Sequence, residues 1–199
     1  MEVNMKCVVG RCNKTVQPFI ISQEEAVNPQ IIDIGDLRIL FGYFQYRAPN
    51  TSSYQSKKLD ESYHADLFKD MMRSWKKENA SIIPFNSTYD KESPKFALNG
   101  NSVCSFCKRY LLKRSKPKNN VQETDFNCIV RHLRNSLAHG RVFVIHAGTS
   151  IKIMFEDYDN KNRTISGRII CNQSDLKKWR ALINKYLKEQ SDENEHTNQ

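Results

Sequence analysis

Residues 125–140, Asp-Phe-Asn-Cys-Ile-Val-Arg-His-Leu-Arg-Asn-Ser-Leu-Ala-His-Gly, carry the clearest period in the chain. Counted from Phe126 at about 100° per residue, Ile129, Val130, Leu133 and Leu137 fall within about 60° of one line, the apolar stripe of a core-facing helix. Gly140 follows in the place where a helix ends in a left-handed residue. The pattern predicts a helix over residues 125–139. On the same wheel Arg134 lies at about 80°, Arg131 at about 140°, Asn135 at about 180° and His139 at about 220°. The face away from the stripe thus presents two guanidiniums, an amide and an imidazole.

Beyond Gly140 the period changes. Residues 141–147, 150–157 and 163–171 are rich in Val, Ile, Phe and Thr. Gly148-Thr149 and Asp159-Asn160-Lys161 separate them, which predicts a three-stranded antiparallel meander. Ser174 is placed to cap a final helix whose apolar stripe is Leu176, Trp179, Leu182, Ile183, Tyr186 and Leu187. Residues 191–199 hold no apolar side chain and read as a disordered tail.

Upstream the pattern is weaker. Residues 19–21 suit a short strand. Residues 31–46 suit a core helix through Ile32, Leu37, Leu40, Phe41 and Phe44. Leu59, Tyr63, Phe68, Met71, Met72 and Trp75 place a second helix over 59–77. Residues 80–100, with Pro84 and Pro94, read as irregular, 103–114 as a further helix and 115–123 as a linker. The fold class expected is mostly α with a small β part: a helical bundle carrying the meander and a C-terminal helix. One domain would span residues 1–190. Its N-terminal part, 1–120, is helical with irregular insertions, and 121–190 holds the long helix, the meander and the terminal helix.

The 199 residues are 39% hydrophobic and 10% aromatic, ample for a core without disulfides. The longest unbroken apolar run is Val142-Phe-Val-Ile145, far below the ~18 residues of a membrane span. The first 14 residues lack the apolar region of a secretion signal. A cytoplasmic location follows as the expectation, with the six cysteines reduced and the sequon Asn86-Ser-Thr88 without meaning. The net charge of +9 attracts polyanions, and nucleic acid is the expected partner rather than a membrane.

The residue types on the 125–139 helix suit phosphodiester chemistry. A free imidazole titrates near ~6.5, so histidine can move protons at neutral pH. Arginine keeps its charge and offers planar paired donors to phosphate oxygens. Arg134-Asn135-Ser136-Leu137-Ala138-His139-Gly140-Arg141-Val142 resembles the signature of the HEPN superfamily: Arg, a polar residue, then His after four to six residues, late on a long helix of a bundle. Ile129-Val-Arg-His-Leu133 resembles the approach to that motif in small plasmid- and phage-defence members. The resemblance implies a metal-independent endoribonuclease acting in phage defence or as a toxin. Two copies would bring Arg134 and His139 together at a homodimer interface, with Asn135 assisting. The 2′-hydroxyl of RNA would attack the phosphate and leave a 2′,3′-cyclic or 3′-phosphate end. The alternative is a non-catalytic HEPN-like module that binds RNA or nucleotide within a defence complex. An antitoxin or another defence protein is the further partner implied. In toxins silenced by a nucleotidyltransferase, a tyrosine stands two residues after the His; here Arg141 stands there.

Arg131 and Arg141 are further phosphate-binding candidates. Lys108, Arg109, Lys113 and Arg114, with Lys116, Lys118 and Tyr110, form a basic strip along which RNA can track; a solvated face is the plainer reading. Catalysis on this reading needs no cofactor. Cys104-Ser-Phe-Cys107, with Cys7 and Cys12, offers four thiolates for a structural zinc, against the reading of free thiols. Cys128 and Cys171 read as packing, His64 and His132 as structural, and His146 as a residue near the motif.

Overall fold

The computed structural model describes residues 18–20, 36–50, 55–73, 80–100, 102–104, 107–147, 150–159 and 164–197. Its elements in chain order are β1 (Pro18–Ile20), α1 (Asp36–Gly42), α2 (His64–Met72), β2 (Ala80–Ile83), α3 (Tyr89–Glu92), β3 (Ser102–Cys104), β4 (Arg109–Lys113), α4 (Asp125–Ala138), β5 (Val142–Ala147), β6 (Ser150–Asp159), β7 (Thr164–Asn172) and α5 (Gln173–Thr197). Helix α1 runs on into a wider π-type turn at Tyr43–Arg47.

The predicted meander forms as β5–β6–β7, but it is only part of the sheet. The order is β2-β4-β7-β6-β5, with β4 antiparallel to β7 and β2 parallel to β4, so the sheet is mixed and five-stranded. The helix expected over 103–114 is instead β3 and β4. Tyr110, Leu111 and Leu112 are all buried, because β4 lies between two other strands and both its faces are covered. A continuous apolar run of that kind lacks the alternation of a half-exposed strand, so periodicity does not separate it from a helix. The segment read as irregular, 80–100, supplies β2 and the single turn α3.

Side chains alternate across the sheet and fill two cores. On one face Val142, Ile153, Phe155, Ile169 and Cys171 pack with α1, α2, α4 and α5. On the other, Phe143, Met154, Ile170 and Leu111 meet Tyr89, Leu98 and Val103. Glu156 and Arg168 lie fully buried on that second face. Arg168 Nε donates to Glu156 at 2.7 Å, and its Nη1 donates to the Leu98 carbonyl at 2.6 Å and the Gly100 carbonyl at 2.8 Å.

Helix α4 is buried on two sides. The predicted stripe of Phe126, Ile129, Val130, Leu133 and Leu137 is buried as expected. Cys128, His132 and Ser136, at four-residue spacing, are buried as well and form a second stripe. His132 sits directly over Gly167 of β7, where an added Cβ would lie 2.6 Å from its Nδ1. A glycine inside a strand marks such a close approach. Gly167→Ala is therefore expected to destabilise the fold by about 1–3 kcal/mol, since the ring above is held at both nitrogens. Gly42→Ala, with nothing within 4 Å of the new methyl, is the matched control and should melt no lower than the parent. Thermal unfolding of the two variants checks this.

Helix α5 does not end at residue 190. It continues through Thr197, so the described part of the segment read as a tail is helical, although the side chains of residues 191–196 are exposed. Polar bonds to the α2 region hold it there: Tyr63 to Glu193, the Asp60 amide to Gln190 (2.8 Å), and Gln190 to the Lys58 carbonyl (3.1 Å). At its start Asp175, rather than Ser174, takes the capping bond, from the Asn172 amide at 2.9 Å. No helix among the described residues is long and apolar enough to cross a membrane.

Candidate active site on helix α4

Local chemistry sets both ends of α4. The Thr124 side chain accepts the Asn127 amide at 3.2 Å, the usual service of an N-cap threonine. At the other end Gly140 has φ +65°, Gly140 N donates to Leu137 O at 3.3 Å, and Arg141 N donates to Ser136 O at 2.8 Å. This is a Schellman turn, and it leaves His139 as the C-cap residue with its side chain exposed.

The polar residues of the motif stretch divide into two groups. Most hold the fold. Arg131 donates from Nε (2.6 Å) and Nη2 (2.9 Å) to the two carboxylate oxygens of Glu123, and from Nη2 to the Lys113 carbonyl at 2.8 Å. Burial alone pushes the Glu123 carboxyl up; the Arg131 guanidinium outweighs it and holds the group below the usual carboxylate range. His132 Nδ1 lies 2.8 Å from Asp157 Oδ2, and its Nε2 lies 2.9 Å from the Lys113 carbonyl. Asn135, expected to assist catalysis, donates to the same Asp157 oxygen at 3.2 Å, and Asp157 is 2% exposed. Ser136 donates to the His132 carbonyl. The second group is Arg134, half-buried, and His139, exposed; neither side chain has a hydrogen bond or ion pair among the described residues.

Arg134 and Arg131 open onto a cleft of about 680 Å³ between α4, residues 49–50 and 61, and the loop 115–124. His139 is not part of its lining. On an ideal helix, residues five apart are about 7.5 Å apart along the axis and about 140° apart around it.

The basic candidates elsewhere are mostly occupied. Arg109 is 0% exposed and donates to the Cys104, Cys107 and Ala97 carbonyls, so it builds the fold and is closed to a phosphate in solution. Arg141 donates to Glu156 from Nε at 2.9 Å and from Nη2, on the sheet face away from α4, and stacks 4.6 Å from the Tyr158 ring centroid. Arg114 donates to the Glu123 carbonyl and to Asp125. Lys108 pairs with the buried Asp175 at 3.1 Å. Lys113 is half-buried, 5.5 Å from the Phe85 ring centroid. Tyr110 is buried, so it is no stacking platform.

Among the described residues no group of three His, Cys, Asp or Glu is placed to hold a metal. Cys7 and Cys12 lie outside the described residues, as does the side chain of His146. Cys104 and Cys107 turn their carbonyls onto Arg109. Burial pushes the Cys128 and Cys171 thiols up, which keeps them neutral packing groups. His64 is buried against Thr124 and Leu59, and burial pushes its ring below the usual imidazole value.

Sequence reasoning missed Asp157 and Glu123, the two acids that hold Asn135 and Arg131. Asp157 carried a signal: Glu156-Asp157 is a pair of charges inside an otherwise apolar strand, and buried charges require partners. The searches of curated proteins and of solved structures each found no match. A family model described as HEPN pEK499 p136 matches residues 53–194, which include all of the cleft lining but Pro49 and Asn50, α4, the meander and nearly all of α5, and on that match the chain belongs to this HEPN family.

Proposed function

We propose that the protein is a metal-independent endoribonuclease in which Arg134 and His139 from two copies form one site. One observation carries the reading: of the side chains with hydrogen-bonding groups from Arg131 to Arg141, only Arg134 and His139 lack an internal partner among the described residues, and the others hold the fold. A guanidinium and an imidazole are the groups that transesterification asks for. One His139 takes the proton of the RNA 2′-hydroxyl, O2′ bonds to phosphorus, and the bond to the leaving 5′ oxygen breaks. The His139 of the second copy returns a proton to that oxygen. Arg134 balances the charge developing on the phosphoryl oxygens. The angular separation of Arg134 and His139 on α4 favours a pair completed by a second copy over one helix acting alone.

The resemblance of the motif supports a role in phage defence or as a toxin. Arg141 stands where silenced toxins carry a modifiable tyrosine, and it is engaged with Glu156. A silencing partner therefore acts by another route. Incubation of RNA with the protein in EDTA tests the chemistry. Cleavage is expected to persist and to leave a 2′,3′-cyclic phosphate, and DNA of the same sequence is expected to stay intact. Activity lost in EDTA and restored by Mg²⁺, with an unchanged circular dichroism spectrum, would overturn it. Binding of RNA without any cleavage would favour the non-catalytic module.

A further inference from the structure

The loop 115–123, a linker by composition, is a hairpin with a defined tip. Asn119 and Asn120 have φ of 51° and 62°, and Lys118 and Val121 exchange both backbone hydrogen bonds, at 3.1 and 2.9 Å. Two consecutive left-handed residues make the primed turn that suits a hairpin, and asparagine tolerates that backbone. The base of the hairpin is clamped to α4. Glu123 accepts the Ser115 amide at 2.9 Å together with both Arg131 bonds, and Arg114 joins the Glu123 carbonyl to Asp125. The hairpin is thus a fixed wall of the 680 Å³ cleft that Arg134 closes at its motif end. That volume lies within the ~300–1,000 Å³ of ligand clefts.

The cleft carries cations and amides without partners among the described residues. Lys116 and Lys118 line it, are exposed, and have no ion pair among the described residues. Of its two acids, Glu123 is neutralised by Arg131, and Glu61 makes no ion pair with either lysine. Two residues of chain span at most about 7 Å, so Lys116 and Lys118, on either side of Pro117, can each meet one of two neighbouring phosphates. Among the described residues the Asn119 and Gln122 amides have no partner, and Asn127, which accepts from Asn50 at its Oδ1 (3.2 Å), has none for its Nδ2; all three line the cleft.

We infer that this cleft binds the single-stranded RNA flanking the cut, with Lys116 and Lys118 on backbone phosphates and the Asn119, Gln122 and Asn127 amides on base edges. This rests on the ribonuclease reading and deepens it. An unpaired strand is required because duplex RNA hides its base edges in a deep, narrow groove. The strip of Lys108, Arg109, Lys113 and Arg114 does not do this work, since those side chains are paired, stacked or buried.

The full chain carrying His139→Ala, which is expected to cut ~10²–10⁴-fold more slowly, is titrated with fluorescein-labelled single-stranded RNA and with the same RNA as a duplex. Lys116→Ala/Lys118→Ala in that background is expected to weaken single-strand binding about tenfold and to flatten the slope of log K against log salt by about 1.4, the loss of two phosphate contacts. Lys91→Ala/Lys178→Ala, which removes the same charge elsewhere, is expected to change neither. Gln122→Ala is expected to alter the preference among homopolymers while leaving the salt slope in place. With His139 intact, the double lysine variant is expected to raise KM and keep kcat. Unchanged binding by the double lysine variant overturns the cleft and leaves the ribonuclease reading standing, as does equal affinity for the duplex. Failure of the His139→Ala parent to bind RNA, with no cleavage by the wild type, overturns both.

Discussion

His139→Ala is expected to reduce RNA cleavage by ~10²–10⁴-fold, the usual cost of losing a proton-transfer group, and to leave the melting curve unchanged. The imidazole is exposed and bonds to nothing among the described residues. The turn that ends α4 is made by the backbone of Leu137, Gly140, Ser136 and Arg141, which the substitution does not touch. Surface changes of this kind stay within about 0.5 kcal/mol. Arg134→Ala should behave alike, with loss of activity and little loss of stability. Asn135→Ala should differ, because it removes a bond to the buried Asp157 and leaves that carboxylate with less company. A stability cost of about 1–3 kcal/mol then accompanies any loss of rate. Cleavage assays beside thermal melts separate these outcomes. Parent-rate cleavage by a normally folded His139→Ala would remove His139 from the mechanism and leave the binding-module reading in its place.

Glu156→Ala is expected to be the most destabilising single change, by about 3–5 kcal/mol, because it strands a buried guanidinium. Glu156 and Arg168 are 0% and 1% exposed, and Glu156 also holds Arg141. For a chain of this size each kcal/mol lowers Tm by about 2–4 °C, so a fall of about 6–20 °C is expected in calorimetry. Glu92→Ala, which breaks the exposed pair with Lys95, should cost no more than about 1 kcal/mol. Equal melting of the two variants would show that the Arg168 carbonyl bonds alone suffice to hold that side of the sheet.

Helix α4 was legible in the chain because its signals are local. The stripe of Phe126, Ile129, Val130, Leu133 and Leu137 and the glycine stop at 140 depend on neighbours within a few residues. The meander and the start of α5 were legible for the same reason, as was the placement of Arg134 and His139. Strand β4 was not, because its partners come from residues 80–83 and 167–170, and both faces of its apolar run are covered by chain far away in sequence. Cys128 and His132 read as packing and structural residues and are buried, but the second stripe that they form with Ser136 was not legible as a stripe, because it is buried only where the sheet lies beneath it. That packing also decided which polar groups remain available. Arg109, Arg131, Asn135 and Arg141 read as surface ligands in the sequence, yet each meets an acceptor supplied by another element. Periodicity and capping are set by the sterics of one segment, whereas the partner of a charge is set by which distant segments burial brings against it; the placement of the motif on a helix was therefore legible locally, and the fold decided that the Arg134 and His139 side chains stay without a partner among the described residues.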